Sequence, residues 1–307
     1  MSVDARSAKR RRAAARARRT RQIRRRRTTA LALIGLFIVG IVILAAAGGG
    51  ASGSHARAVP SQRDGAVASP AAQRAALDRF AAAPRPIYCG GRHRPLVALT
   101  FDDGPGPYTP LALRKLQAAQ APATFFLVGQ AIADHRNLPA LEHAQGALGD
   151  HTWTHPYLPG LDPTAAQREV ARTRQLIVAV GGAPVRLFRP PYGARTEAID
   201  RTAAGLGMAE ILWDVDTRDS EGADYAGIAA NIRREVRAGS IVLMHENRGQ
   251  TIRALDHVLQ TLHHKHLTPV TVPELLAADP PSPAQLAAGP QGCGASAGAA
   301  TEGRSTS

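Results

Sequence analysis

The sequence predicts an α/β domain built on a mainly parallel sheet covered by helices, in barrel or open form. Two observations predict it. Between residues 87 and 276, apolar strand-like runs alternate with segments whose apolar residues recur at helical spacing. The charged motifs fall where the runs end: after Thr100, after Phe188, after Trp213 and at the close of the run 241–244. Parallel sheets gather their chemistry at the carboxyl ends of their strands.

The elements follow in order. The apolar run 96–100 reads as a buried strand, and 108–119 as a helix with Leu111, Leu113 and Leu116 on its apolar side. Residues 123–128 are β-type. A helix is expected over 138–147, then a histidine segment over 151–155. Residues 165–180 form a strong helix pattern, with Val170, Leu176, Ile177 and Val180 apolar. Strands follow at 185–188, 209–213 and 240–245, with a closing strand at 268–272. Helices are expected at 197–206, 228–238 and 252–264.

The flanks differ in composition. Thirteen Lys/Arg and one Asp fall within residues 1–27, so +12 of the formal +14 charge sits there. The remainder is nearly neutral, which argues against a nucleic-acid-binding domain. Residues 30–47 are 18 positions without a charge. A spanning helix needs about 17–25 residues, whereas a secretory apolar core has about 7–15. The basic leader and this span predict a single-pass membrane anchor with the following domain outside the cytoplasm. The alternative is a secreted chain cleaved near Ala47, after Ala45-Ala46-Ala47. Residues 48–86 read as a flexible linker, with a short helix expected over 71–83. The folded domain is expected over 87–278, and 279–307, rich in Pro, Ala, Gly and Ser, as a disordered tail. Cys89 and Cys293, the two cysteines of the sequence, bracket the domain. Outside the cell they are free to form a bridge; the alternative is two separate thiols.

Several motifs carry chemistry. Asp102 and Asp103 end the first strand, and Gly104-Pro105 turns the chain. Neighbouring side chains on extended backbone point in different directions, so these two carboxylates can do two jobs, metal ligation and proton acceptance. His151 and His155 stand four apart, a spacing that lets two imidazoles converge on a helical turn or a tight loop. Imidazole suits zinc and its neighbours, and Asp103 or Asp102 is the natural third ligand. Phe188-Arg189-Pro190-Pro191-Tyr192-Gly193 is a rigid loop presenting Arg189, a fork suited to carboxylate. Residues 213–219 carry Asp214, Asp216 and Asp219 after a strand, some of them turn formers. His245 ends a buried strand. The cluster at 263–266 reads as the polar end of a helix.

In this order the motifs resemble the polysaccharide deacetylase family, carbohydrate esterase family 4, also called the NodB homology domain. The likeness spans about residues 95–277. It rests on Thr100-Phe-Asp-Asp-Gly-Pro105, Ala123-Thr-Phe-Phe-Leu-Val-Gly129, His151-Thr-Trp-Thr-His155, Arg189-Pro-Pro-Tyr-Gly193, Trp213 to Asp219, and Leu243-Met-His245. The resemblance implies a distorted (β/α) barrel of about seven strands. It implies that Asp103, His151 and His155 bind a divalent metal, usually zinc, sometimes cobalt or nickel. Asp102 would be the general base toward water, and Arg189 would hold and orient it. His245 would be the general acid for the leaving amine, with Asp219 raising its pKa. The Tyr192 N–H would stabilise the oxyanion, and Leu243 and Trp213 would shape the acetyl pocket. One position departs from the pattern: where the family often has Trp after the match to Asp219, this chain has Ser220.

The resemblance thus implies a metal-dependent N-deacetylase acting outside the cell on an amino-sugar polymer. Peptidoglycan N-acetylglucosamine is favoured, because a tethered enzyme reaches it, and chitin-type oligomers or an exported polysaccharide follow. The alternatives are an acetyl-xylan-type esterase and an inactive carbohydrate-binding protein.

Overall fold

The computed structural model describes residues 68–182 and 184–294. The strands are β1 (Leu96–Gly104), β2 (Ala123–Leu127), β3 (Gly146–Asp150), β4 (Leu187–Phe188), β5 (Ala209–Glu210), β6 (Val215–Asp216), β7 (Ile241–His245) and β8 (Thr268–Val270). The helices are α1 (Pro70–Ala81), α2 (Thr109–Ala118), α3 (Gly129–Asp134), α4 (Leu138–Gln145), α5 (Pro163–Gly181), α6 (Glu197–Gly205), α7 (Tyr225–Glu235), α8 (Gly249–His264), α9 (Val272–Ala278) and α10 (Pro283–Ala288).

All strand pairs are parallel, in the order β5-β4-β3-β2-β1-β7-β6, with β8 beside the amino-terminal half of β1. That is eight strands against about seven expected. Among the described residues β5 and β6 do not pair, so strand pairing leaves the sheet open at that seam.

The faces of β1 explain where the site lies. Val97, Leu99 and Phe101 join one apolar cluster, shared with α2, α5, α7 and α8. Leu96 and Ala98 join the other, with Phe126, Ile241, Ile87 and residues of α1 and α9. The alternation is the period of two that a strand imposes. On this second side the next two positions along the strand are Thr100 and Asp102. The face therefore turns polar at its carboxyl end, where both residues are still buried.

Three expectations need correction. The segment 146–150, placed in a helix and its exit, is β3, with Gly146 beside Ala123 and Gly149 beside Phe126. A Cβ on Gly146 would lie 1.9 Å from the Ala123 oxygen, and one on Gly149 2.4 Å from Phe126. The small residues that hide the strand from propensity are the ones that let it pair. Residues 209–213 carry only the two-residue β5, and β6 is a further strand that was not expected. The short helix expected over 71–83 is present as α1, which is capped by Ser69 and buries Ala76, Leu77, Phe80 and Ala81. Burying one side chain of the Leu or Phe kind is worth about 1.5–3 kcal/mol, enough to hold a short helix on a domain. The tail begins later than residue 279. Ser282 and Gln285 form a capping box that starts α10, and Cys293 is disulfide-bonded to Cys89.

Among the described residues no helix is long and apolar enough to cross a membrane. The expected anchor, 30–47, lies outside them, as do residues 1–29, the first part of the linker and residues 295–307.

Candidate active site and metal centre

The carboxyl end of β1 places Asp102 and Asp103 on opposite tasks. Asp102 continues the strand and points inward, 2% exposed. Asp103 has φ 67° where the register of β1 against β2 shifts between Asp102 and Gly104, so its carboxylate departs from the strand's alternation. Arg189, fully buried, meets Asp102 from β4: its Nη1 donates to Asp102 Oδ1 at 2.7 Å and to Thr100 Oγ1 at 2.8 Å. Its Nε and Nη2 donate to the carbonyls of Ile211 and Leu212 at 3.0 and 3.1 Å. Every arm of the fork is engaged, and the guanidinium lies 4.1 Å from the Phe126 ring centroid. Burial lowers the Arg189 pKa from its ordinary value, against the opposing pull of Asp102.

His151 and His155 lie on a loop and not on a helical turn. Thr152 and His155 adopt left-handed backbone, φ 69° and 57°. His151 Nδ1 lies 2.7 Å from the Arg189 carbonyl oxygen. A carbonyl only accepts, so in the neutral ring Nδ1 carries the proton and Nε2 presents a lone pair. That Nε2 stands 3.7 Å from Asp103 Oδ1, and His155 Nε2 stands 3.3 Å from the same oxygen. Burial and the neighbouring His151 lower the His155 pKa, which favours its neutral, ligating form. Asp103 Oδ1 is buried and has no hydrogen-bond partner among the described residues. Its other oxygen accepts from Asn247 Nδ2 at 3.0 Å.

These groups fit a metal. Three ligand atoms, one from each of Asp103, His151 and His155, lie within 4.8 Å of one another. Donors about 2.1 Å from a tetrahedral ion stand about 3.4 Å apart, close to the two separations found. The hydrogen bond from His151 Nδ1 to a carbonyl is the outer-shell arrangement that orients ligating imidazoles.

On the far side of β1, β7 sets His245 in register with Asp102. His245 Nδ1 lies 2.7 Å from Asp219 Oδ1, and the His245 N–H donates to Asp219 Oδ2 at 2.7 Å. Thr251 Oγ1, at the start of α8, donates to the same oxygen at 2.5 Å. Burial alone pulls His245 down; the hydrogen bond and charge of Asp219 outweigh it and raise the imidazole to about 9. Asp219 itself is held below its ordinary value by His245, against the effect of burial.

Trp213 lies 5.6 Å, ring centroid to guanidinium, from Arg189, and Leu243 stands two residues before His245 on β7. Leu243 is buried on β7. Trp213 packs against Gly193, where a Cβ would lie 3.0 Å from the indole, and its Nε1 is buried without a partner among the described residues. Tyr192, φ 62°, is 56% exposed, with its ring 4.7 Å from that of His155. Ser220 is exposed. Of the other acids after Trp213, Asp214 is structural: it accepts from the Ile241 N–H at 2.8 Å and from Arg237 at 2.9 Å. Asp216 forms a turn by accepting from the Arg218 N–H.

The fold thus brings Asp102, Asp103, His151, His155, Arg189, Tyr192, Trp213, Asp219 and His245 together near the carboxyl end of β1, while Leu243 is buried within β7 opposite Thr100. Sequence reasoning missed Thr100 as a partner of Arg189, Asn247 on Asp103 and Thr251 on Asp219. Thr100 was in reach, two residues before Asp102 on the same face. Nothing in the sequence marks the other two.

The polysaccharide deacetylase family model matches residues 90–211. The chain is 36% identical over 211 residues to a chitooligosaccharide deacetylase of Rhizobium leguminosarum bv. phaseoli, covering 62% of this chain and 91% of that one. It is 30% identical over 194 residues to a peptidoglycan-N-acetylglucosamine deacetylase of Bacillus cereus, covering 61% and 70%. Among solved structures it is similar to a family 4 pseudoenzyme from Bacillus anthracis, with TM-score 0.60 and 30% identity over 63% of this chain and 69% of that one. The ordered motifs, the parallel sheet and these similarities agree: the chain belongs to the polysaccharide deacetylase family and is a hydrolase, a polysaccharide deacetylase.

Proposed function

We propose that the chain is a metal-dependent N-deacetylase of an extracytoplasmic amino-sugar polymer, with peptidoglycan N-acetylglucosamine favoured over chitin-type oligosaccharide. One observation carries the metal dependence: the lone pairs of Asp103 Oδ1, His151 Nε2 and His155 Nε2 converge, and Asp103 Oδ1 has no hydrogen-bond partner among the described residues. Similarity to relatives named for both polymers supports the substrate class.

Asp103, His151 and His155 would hold the metal, zinc by its donor set, with cobalt or nickel as alternatives. A divalent ion there polarises the acetyl carbonyl and acidifies water. The protein's own groups do the rest. Asp102 Oδ1 is fixed by Arg189, which leaves Oδ2, 3.6 Å from His151 Nε2, as the acceptor for a proton from attacking water. Water adds to the carbonyl carbon, and the Tyr192 N–H is assigned to the developing oxyanion. The C–N bond then breaks as His245 delivers a proton to nitrogen, releasing acetate and the free amine. An imidazole raised to about 9 is in its acid form at pH 7, as this role requires. Leu243 and Trp213 are assigned to the wall facing the acetyl methyl.

The alternative is an inactive carbohydrate-binding protein, the family containing a pseudoenzyme in Bacillus anthracis; the grouping of Asp103, His151 and His155 and the Arg189–Asp102 pair support the active reading over it. The test is acetate release by the full chain from N-acetylglucosamine oligomers, peptidoglycan and acetyl-xylan. Amide turnover that is lost in Asp102→Asn supports the reading; polymer binding without turnover restores the binding alternative, and release from acetyl-xylan alone the esterase.

Residues 30–47 are proposed as the membrane anchor that keeps the domain beside the envelope polymer, with 1–29 cytoplasmic and the chain from residue 48 outside. Fractionation of cells carrying the full chain checks this: recovery in the membrane pellet supports the anchor, and a soluble chain shortened near Ala47 supports secretion.

A further inference from the structure

We propose that Glu169, a residue of α5 with no part in the chemistry above, is a positioning residue for the metal ligands His151 and His155. The inference rests on the reading of Asp103, His151 and His155 as a metal site.

The two histidines flank three residues, and the backbone between them is not self-supporting. Thr152 and His155 both sit in the left-handed region that residues with a Cβ rarely adopt, so no helical hydrogen-bond ladder holds the loop. Its geometry is imposed from outside. The sheet side does part of this: the His151 N–H donates to the Leu127 carbonyl at 3.0 Å, and the Thr152 N–H to Asp150 Oδ1 at 2.8 Å. The start of α3 adds two bonds, from the Gly129 and Gln130 N–H groups to the carbonyls of Thr152 and Trp153 at 2.9 and 3.0 Å.

The remaining two amides, those of Trp153 and Thr154, converge on a single atom. Both donate to Glu169 Oε2, at 3.0 and 2.7 Å. A carboxylate that accepts two adjacent backbone N–H groups fixes the direction of the chain between them, and bonds to an ionised acceptor are about twice as strong as neutral ones. The same face of α5 grips the intervening side chain. Arg172 lies 3.5 Å from the Trp153 ring centroid. Trp153 also lies over Gly129, where a Cβ would come within 2.3 Å of the indole and 2.7 Å of Thr173 Oγ1. Residues 169, 172 and 173 are one helical stripe, spaced three and four apart. The stripe holds the loop on which both imidazole ligands ride, and Glu169 supplies its two directional bonds. Metal affinity depends on ligands being in place before the ion arrives, and outer-shell partners are worth about 10–100-fold in affinity.

The experiment measures zinc affinity of the full chain by competition with a chromogenic chelator, together with the melting temperature of each metal-stripped variant. Glu169→Ala is expected to weaken zinc by about 10–100-fold. Glu169→Gln, whose amide oxygen still accepts, is expected to recover most of that loss while staying several-fold weaker than the parent. Asp162→Ala removes the N-cap of the same helix, where Asp162 Oδ1 accepts from the Ala165 N–H. It is expected to lower the melting temperature and leave zinc affinity unchanged, which separates loss of helix stability from loss of loop geometry. Zinc affinity in Glu169→Ala equal to the parent's overturns the proposal. If that variant does not fold, Glu169→Gln decides, and affinity equal to the parent's overturns it. A parent chain that does not bind zinc at all refutes the metal-site reading itself, a different result from a parent that binds and a variant that binds as well.

Discussion

Replacing Asp219 by Asn tests the acid half of the mechanism through a quantity the structure specifies. Asp219 raises the imidazole of His245 from 6.5 to about 9. At about 1.4 kcal/mol per unit, that is about 3 kcal/mol of preference for the protonated ring. Burial acts in the opposite direction and the charges of Asp102 and Asp103 add a smaller upward pull, so without the Asp219 charge the ring falls back toward its ordinary value. The Asn oxygen still accepts from one of the His245 N–H and Thr251 hydroxyl donors, which preserves the loop while removing the charge. The alkaline limb of kcat/KM for acetate release, near pH 9 in the parent, is therefore expected to move to lower pH. At pH 8 a full return to the ordinary value would lower the protonated fraction by about 30-fold, which is the upper bound of the effect. The stability effect has its own sign. A histidine with a raised folded pKa contributes stability that is complete below about 6.5 and lost as pH rises through about 9. The Asn variant is therefore destabilised most at pH 6 and least above pH 9. A folded Asp219→Asn protein whose alkaline limb stays near 9 refutes the assignment of His245 as an acid tuned by Asp219.

Two further perturbations address the buried groups. Arg189→Lys keeps the charge opposite Asp102 but loses the fork to Thr100, Ile211 and Leu212. At about 1 kcal/mol for each of three lost bonds, urea denaturation is expected to show a loss of about 3 kcal/mol, and kcat is expected to fall with it. Stability within 1 kcal/mol of the parent contradicts the reading that the whole fork is used. Burial raises Glu246 to about 7, beside Glu142, which burial and Glu246 push well above its ordinary value. Folding therefore favours the neutral forms. The contribution of Glu246 is complete below about pH 4.5 and lost as pH rises through about 7, about 3 kcal/mol in all. The melting temperature is expected to fall between pH 5 and 7.5, and Glu246→Gln to flatten that slope; an unchanged slope refutes it.

The sequence reveals the site more clearly than the sheet that carries it. Asp102, Asp103, His151, His155, Arg189, Asp219 and His245 stand in short motifs whose residue types announce their chemistry, and each lies at or just beyond the end of a parallel strand. The strands between them are less legible. β3 reads Gly-Ala-Leu-Gly-Asp, without a β-branched or aromatic residue, because its neighbours Ala123 and Phe126 leave no room for side chains. β4, β5 and β6 are two residues each, too short for any periodicity. The ordered segment after residue 282 did carry a signal, Ser282 three residues before Gln285, that its disorder-like composition obscured. Asn247, Thr251 and Glu169 reach their partners only through tertiary approach, which no local pattern encodes.

The most direct test of the central claim is a zinc titration of the metal-stripped full chain, followed by acetate release from N-acetylglucosamine oligomers. The account predicts activity that rises with zinc to a plateau at one equivalent, and a His151→Ala variant that neither binds the ion tightly nor releases acetate. Acetate release by metal-stripped protein at the plateau rate, or by His151→Ala at the parent rate, would contradict it.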